Sequence, residues 1–265
     1  MFRKYFKSRS KLGKSLPKSF DVKIYKNVNP DLKNLNDKLL REHYFNSGRF
    51  EGRICSKIKS REDFIHCIPL TNEENMLEIG PLDKPILDHS RINVKSMDYL
   101  GREDLKKKYS DDIGVKIEKI VNVDYIWDGR AYYDIINAYF DIIVSSHNIE
   151  HSPDLIVFLQ NLSGVLSKNG LIFLIIPDKR YCFDHFRPHT TLQEVIYANL
   201  KRHNKPSFYS ILESELLCTH NDAVKHWAGE HGQPFIDLDK NKWGEELTDI
   251  ENKINSIENV YTDTH

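Results

Sequence analysis

The sequence predicts an α/β protein: a doubly wound, mostly parallel sheet preceded by a small helical appendage. Three observations carry this. From residue 75 onward, short apolar segments alternate with helical or loop segments, the order that builds a layered parallel sheet. Two of the segments, 141–145 and 171–176, are apolar on both faces, as strands are when helices cover each side of a sheet. The charge is also split. Residues 1–61 carry 17 Lys/Arg against 5 Asp/Glu and the remainder 21 against 34, so a net charge of −1 over 265 residues hides two units with different surfaces.

The length suits one large domain plus an appendage. Residues 1–19 read as a flexible basic arm, residues 20–60 as a small helical module, and residues 61–265 as the main domain, with its core over 75–180 and an acceptor-side region over 181–265. The first 20 residues hold seven Lys/Arg and no acid. They read as a solvated arm, with attraction to membrane phosphates or other polyanions as the functional alternative.

In the module, Asn29-Pro30-Asp31-Leu32 is a turn into a helix bearing Leu35, Leu39, Leu40 and Tyr44. Gly48 ends that helix and Gly52 marks a second turn. So short a segment buries little apolar surface alone and is expected to dock on something else. No apolar run approaches the roughly 18–20 residues that span a bilayer. The four cysteines, Cys55, Cys67, Cys182 and Cys218, form no Cys-x-x-Cys pair, so neither a disulfide framework nor a zinc ribbon is expected, and a cytoplasmic location is.

The expected strands are 75–79, 93–97, 116–123, 140–145 and 171–176. After the fourth, Pro153-Asp154 opens a helix over 154–167 with Leu155, Phe158, Leu159, Leu162 and Leu166 on one face, and Asn169-Gly170 ends it. Further helices are expected near 191–202 and 244–258. The chain stops at Tyr261–His265 as another strand begins, which reads as a truncated end.

In an open α/β sheet, ligands bind at the carboxyl ends of the strands. Glu78 and Gly80 end the first strand, Asp98 the second and Asp124 the third, with Asp128 four residues on. Gly80 admits a ligand close to the backbone. A carboxylate at Asp98 suits two ribose hydroxyls, one at Asp124 or Asp128 suits an exocyclic amine, and Glu78 can order the turn. A dinucleotide is disfavoured. Its pyrophosphate wants Gly-x-Gly-x-x-Gly, whereas here Gly80 is followed by Pro81-Leu82-Asp83-Lys84-Pro85, with two residues lacking N–H and one acid. A nucleoside without phosphates fits better.

Met76-Leu77-Glu78-Ile79-Gly80 resembles the first motif of class I S-adenosylmethionine (SAM)-dependent methyltransferases. Phe140-Asp141-Ile142-Ile143-Val144-Ser145-Ser146-His147-Asn148-Ile149-Glu150-His151 resembles their fourth-strand motif, and 154–171 the helix-turn-strand that follows. The likeness covers about residues 75–180. It implies a Rossmann-like sheet that binds SAM, with Pro81 among the cofactor-binding residues, Glu78 and Gly80 near the methionine part and Asp98 on the ribose. It places Asp124 near adenine and Ser146 and His147 beside the methyl group. The chain departs from the pattern in keeping one glycine of the loop and in leaving room only for a short first helix.

A narrower likeness joins Asn29-Pro30-Asp31-Leu32, His43-Tyr44 and Gly48-Arg49-Phe50-Glu51-Gly52-Arg53 to a helical module of bacterial glycosyltransferases and surface-polysaccharide proteins. Pro177-Asp178-Lys179-Arg180-Tyr181 with Phe183-Asp184 resembles methyltransferase domains of that setting. It implies a glycan or small-molecule acceptor, and association with a membrane surface or glycosyltransferase complex through the basic N-terminal region.

A hydroxyl acceptor needs a base. His147, His151 and Asp178 are the catalytic candidates, with a His that caps a helix and an Asp178–Arg180 pair that braces a loop as the structural readings. His220, His226, Glu230 and His231 form a second cluster, with His226 and Glu230 expected on one helix face. Its spacing is not His-Glu-x-x-His, no metal is expected there, and a structural role or a Trp227 stacked on a sugar competes. No nucleic-acid module is recognisable, and Ser145-Ser146-His147-Asn148 stands where an amine-methylating enzyme would carry Asn/Asp-Pro-Pro-Tyr. The expected function is SAM-dependent O-methylation of a saccharide or related metabolite. A non-catalytic SAM-binding module of a glycan-assembly complex is the alternative, and a nucleic-acid methyltransferase is disfavoured.

Overall fold

Strand β1 (Met76–Ile79) is buried at all four positions, as a strand must be in the middle of a covered sheet. It pairs in parallel with β2 (Val94–Asp98) on one side and with β4 (Phe140–Ser146) on the other. β3 (Tyr125–Ile126) extends the sheet in parallel beyond β2, and β5 (Leu166–Ile175) lies beyond β4. The order β3-β2-β1-β4-β5 reverses direction between β1 and β4, which is the switch point of a doubly wound sheet. The fold class read from the sequence is therefore the one observed. The computed structural model describes residues 20–49, 53–57 and 73–234, with the isolated positions 16, 51, 63, 248 and 252. The basic arm before residue 20 (position 16 apart), Gly52, Cys67, most of the helix expected over 244–258 and the chain end lie outside the described residues.

The chain divides into two compact units. The first comprises Met1–Ile126, Asn137–Ser145 and Val165–Phe173 and holds nearly all of the sheet. Its core is made by Met76, Leu77, Met97, Leu105, Ile120, Phe140, Ile142 and Ile143, all essentially without solvent contact. The second comprises Trp127–Ile136, Ser146–Gly164 and Leu174–His265. In it α5 (Leu155–Gly164) buries Phe158 and Leu162, and Asn161 accepts from Tyr132 N at the start of α4 (Tyr132–Ile135). Asp154, before α5, accepts from Asn199 on α6 (Leu192–Lys201), whose start is closed by the reciprocal Thr191–Glu194 capping box. The helix expected near 191–202 is thus present.

Three local expectations need correction. Residues 116–123 do not form a strand: a 3-10 turn, Ile117–Lys119, stands there, and β3 starts only at Tyr125. This run alternates Ile and Val with Lys and Glu like a strand, but half of its side chains are exposed and only Ile120 is buried. Second, no helix stands between β1 and β2. Residues 80–93 form a chain of turns, and α3 (Arg102–Lys108) follows β2 instead. Third, the helix expected over 154–167 ends at Gly164, and Leu166 already belongs to β5, so Asn169-Gly170 sits inside a strand. Strand pairing with β4 sets this boundary: Phe140 N donates to Val165 O.

The N-terminal module has a small core of its own. α1 (Val22–Val28), the 3-10 turn Pro30–Leu32, α2 (Asp37–His43) and the π turn Tyr44–Gly48 enclose Tyr25, Leu32, Leu40, Tyr44 and Cys55, with Leu16, Phe20, Val22 and Leu35 packed against them. Aromatic rings make this possible in so few residues, since each covers a large apolar area. Tyr25 Oη meets His43 Nδ1 at 2.8 Å, and burial raises the Tyr25 phenol well above its ordinary range. Arg53 ties the ends together through Asp31 at 2.8 Å and Glu51 at 2.6 Å.

Candidate active site

In the first unit, the carboxyl edge of the sheet is built by the ends of β1 and β2. Glu78, 1 % exposed, turns its carboxylate onto the loop that follows. Oε1 accepts from Ile86 N at 2.7 Å, and Oε2 from Leu87 N and His89 Nε2, both at 2.9 Å. A helix would have satisfied its own amides. The turns over 80–93 cannot, and Glu78 supplies the acceptors from the strand beneath. The expectation that Glu78 orders the turn is met, and both of its oxygens serve that purpose.

Gly80 leaves β1 with φ 63, where a Cβ would be strained. Its N–H donates to Met97 O, and Pro81 is buried beside it. Leu82 also has positive φ, at 45, although it is not glycine. Asp83 is consumed internally, accepting from Lys116 N.

Asp98 differs from these acids. It is the last residue of β2 and is buried, yet among the described residues its carboxylate accepts one hydrogen bond, from Tyr99 N to Oδ1 at 2.8 Å. Burial pushes its carboxyl up to about 6, against the partial counterweights of the Tyr99 amide and the Lys108 charge. A buried carboxylate this poorly satisfied is costly unless a ligand completes it.

Asp124 does not stand where the sequence put it. It precedes β3, at the amino end, and its carboxylate accepts from Ser96 N at 2.9 Å and pairs with Lys95 at 3.1 Å. It clamps the chain entering β3 onto the middle of β2. Asp128 does follow β3, but Arg130 closes its carboxylate at 2.8 Å.

β4 ends in two buried serines, Ser145 and Ser146, whose hydroxyls find no partner among the described residues. His147 follows with φ 52, its N–H donating to Ile175 O and its ring half exposed, 3.7 Å from Glu150. The 3-10 turn Ile149–His151 comes next. Within the second unit, Glu150 and His151 line a cavity of about 590 Å³ together with Asp184, Arg187, Tyr197 and Tyr209. Arg187 pairs with Asp184 at 3.0 Å, and burial raises the carboxyl of Glu213, another lining residue. The sequence singled out His151 and Asp184 but missed Glu150, Arg187 and the two tyrosines. These converge from segments up to 60 residues apart, and no local spacing signals that.

Asp178 is not suited to act as a base. Arg180 grips both its oxygens, at 2.5–3.0 Å, and holds its carboxyl down to about 2. Asp178 also caps the 3-10 turn Lys179–Tyr181, so the loop-bracing reading is the one observed. Trp227 stacks on Tyr181, with ring centroids 3.9 Å apart and planes 6° from parallel.

No family model and no curated protein sequence matches the chain. Among solved structures, coclaurine N-methyltransferase bound to N-methylheliamine and SAH is similar, with 16 % identity and a TM-score of 0.30. The match covers 57 % of this chain and 48 % of that one, so the chain spans about half the length of the methyltransferase it matches. None of the helices in the described residues is long and apolar enough to cross a membrane.

Proposed function

We propose that the chain is a SAM-dependent methyltransferase that methylates a hydroxyl of a polyhydroxylated acceptor, a saccharide or related metabolite. The observation that carries the reading is Asp98. A buried carboxylate at the tip of a parallel strand, with one oxygen left for a ligand, suits a vicinal diol that donates two hydrogen bonds. The ribose of a nucleoside cofactor is such a diol. Gly80, by its positive φ, and Pro81, with no N–H to aim at a phosphate, favour a cofactor without pyrophosphate. Glu78 holds the 80–93 loop, and Gly80 and Asp98 would hold the cofactor. SAM supplies an activated methyl group on a sulfonium.

Acceptor binding is assigned to the 590 Å³ cavity, whose carboxylates, Arg187 and tyrosines suit a sugar's hydroxyls and apolar ring faces. His151 in its wall takes the proton of the reacting hydroxyl. Asp178 is excluded from that role by Arg180. The excess of Lys/Arg over residues 1–61 supports association with an anionic surface or partner. Incubating the full chain with methyl-labelled SAM and a panel of saccharides, with mass readout, tests the reading. A product heavier by one labelled methyl is expected, and tight SAM binding without any product would replace the enzyme by a binding module.

A further inference from the structure

Three histidines in the second unit come together from distant points of the chain. One ring nitrogen from each of His185, His226 and His231 lies within 4.8 Å of the other two. His226 is 1 % exposed and sits in α8 (Ala223–Trp227), and the His185 and His231 rings lie face to face with centroids 3.7 Å apart. The sequence grouped His226 and His231 with His220 and Glu230, and did not include His185. Glu230 does not share the helix face expected for it, because α8 ends at Trp227. His220 is fully used: Nε2 donates to Glu230 O and Nδ1 accepts from Asp222 N.

The hydrogen bonds fix the tautomers. His226 Nε2 is 3.0 Å from His220 O, and a carbonyl only accepts, so Nε2 carries the proton and Nδ1 presents a lone pair. His185 Nδ1 is 2.9 Å from Arg180 O, so its lone pair is on Nε2. His226 Nδ1 therefore accepts from His231 Nδ1 at 3.0 Å, and a metal would take the place of that hydrogen bond with the His231 proton moved to Nε2. Two imidazoles whose far N–H groups are tied to backbone carbonyls, with their bare nitrogens in one cluster, have the outer-shell arrangement of metal-ligating histidines. Burial and the neighbouring rings also lower the pKa of His231, which keeps it in the neutral form that ligates.

We infer that His185, His226 and His231 form a binding site for a borderline divalent transition-metal ion, zinc by preference. His185 ligates through Nε2 and His226 and His231 through Nδ1, leaving a fourth position for water or another ligand. Zn–N bonds of about 2.0–2.1 Å call for ligand nitrogens roughly 3.4 Å apart, so the stacked, half-buried rings of His185 and His231 must turn toward a common point when the ion binds. The ion would tie the 179–185 segment to the 219–231 segment, already joined by Thr219 N to Phe183 O and Thr219 Oγ1 to His231 O. The site does not depend on the methyl-transfer reading.

The test uses the full chain, stripped with a chelator and titrated with Zn²⁺ against a chromophoric competitor. One equivalent per chain is expected, with at least tenfold weaker binding in His231→Gln and in His185→Gln. Substoichiometric uptake, or variants that bind as the parent does, would overturn the site. Carbethoxylation of the unaltered protein, mapped by peptide mass, needs no variant. Zn²⁺ must protect His185 and His231 while leaving His189 reactive, and equal modification with and without the metal rejects the assignment.

Discussion

His89 donates from Nε2 to Glu78 Oε2 at 2.9 Å, eleven residues along a loop that contains no helix. With Ile86 N and Leu87 N on the same carboxylate, one buried side chain replaces the hydrogen bonds that a helix would have made for itself. Glu78→Ala leaves these donors without an acceptor. It should cost on the order of 3 kcal/mol in urea unfolding, since each orphaned buried donor costs about 1–3 kcal/mol. Limited proteolysis should then cut within 80–93. A loop that stays protected would show that Glu78 does not organise it.

His147 and His151 separate by variant. His147 holds φ 52 with its ring half exposed, so His147→Gly relieves a left-handed backbone worth about 1–2 kcal/mol and loses a similar amount to glycine's entropy. Stability should stay within about 1 kcal/mol and turnover within about threefold. His151→Gln should keep acceptor KM near its parent value and lower kcat on the order of 100-fold, the usual worth of a general base. The reverse pattern would move the base to His147.

Asp178→Asn should leave the pH profile of turnover in place, because Arg180 already holds that carboxyl at about 2. Its effect is on the loop alone. The pair is exposed, and a thermal shift no larger than that of an ordinary surface substitution is expected. A kcat loss of 100-fold or more would restore Asp178 as a catalytic group.

In the N-terminal module, a Cβ on Gly48 would lie 1.9 Å from Tyr25 Oη and 3.0 Å from its Cζ. Gly48→Ala must displace a fully buried tyrosine ring of a small core, at a cost of about 1–3 kcal/mol. Tyrosine fluorescence should report loosened packing. An unchanged spectrum and melt would mean the module's core is not packed as described.

The parts of the fold that were legible were those where burial acts locally. Ile142, Ile143 and Val144 had to be covered on both faces, and β4 lies where they predicted. Glu78, Gly80 and Asp98 were found because a strand's end and its next residue fix their edge position. Asp124 was misplaced because alternating apolar residues before it mimic a strand, while the pairing with β2 begins only at Tyr125. The boundary at Gly164 was missed because strand pairing overrides the helical spacing of Leu166. His185 was invisible as a partner of His226 and His231, since only tertiary packing brings it there.

Asp98 offers the most direct test of the cofactor reading. Its native carboxyl keeps a proton up to a pH of about 6, while the unfolded chain releases it near 3.8. The native state binds more protons across that window, so stability falls as pH rises through it. The buried charge then costs on the order of 3 kcal/mol at neutral pH. A ligand diol donates to the charged form, so SAM affinity should rise between pH 5 and 7. Titration calorimetry with SAM at pH 7.5, on the parent and on Asp98→Ala, decides the matter. Micromolar binding by the parent and a loss of at least 30-fold in the variant are expected. Equal affinities, or no binding by a folded parent, would contradict the assignment of this edge to SAM.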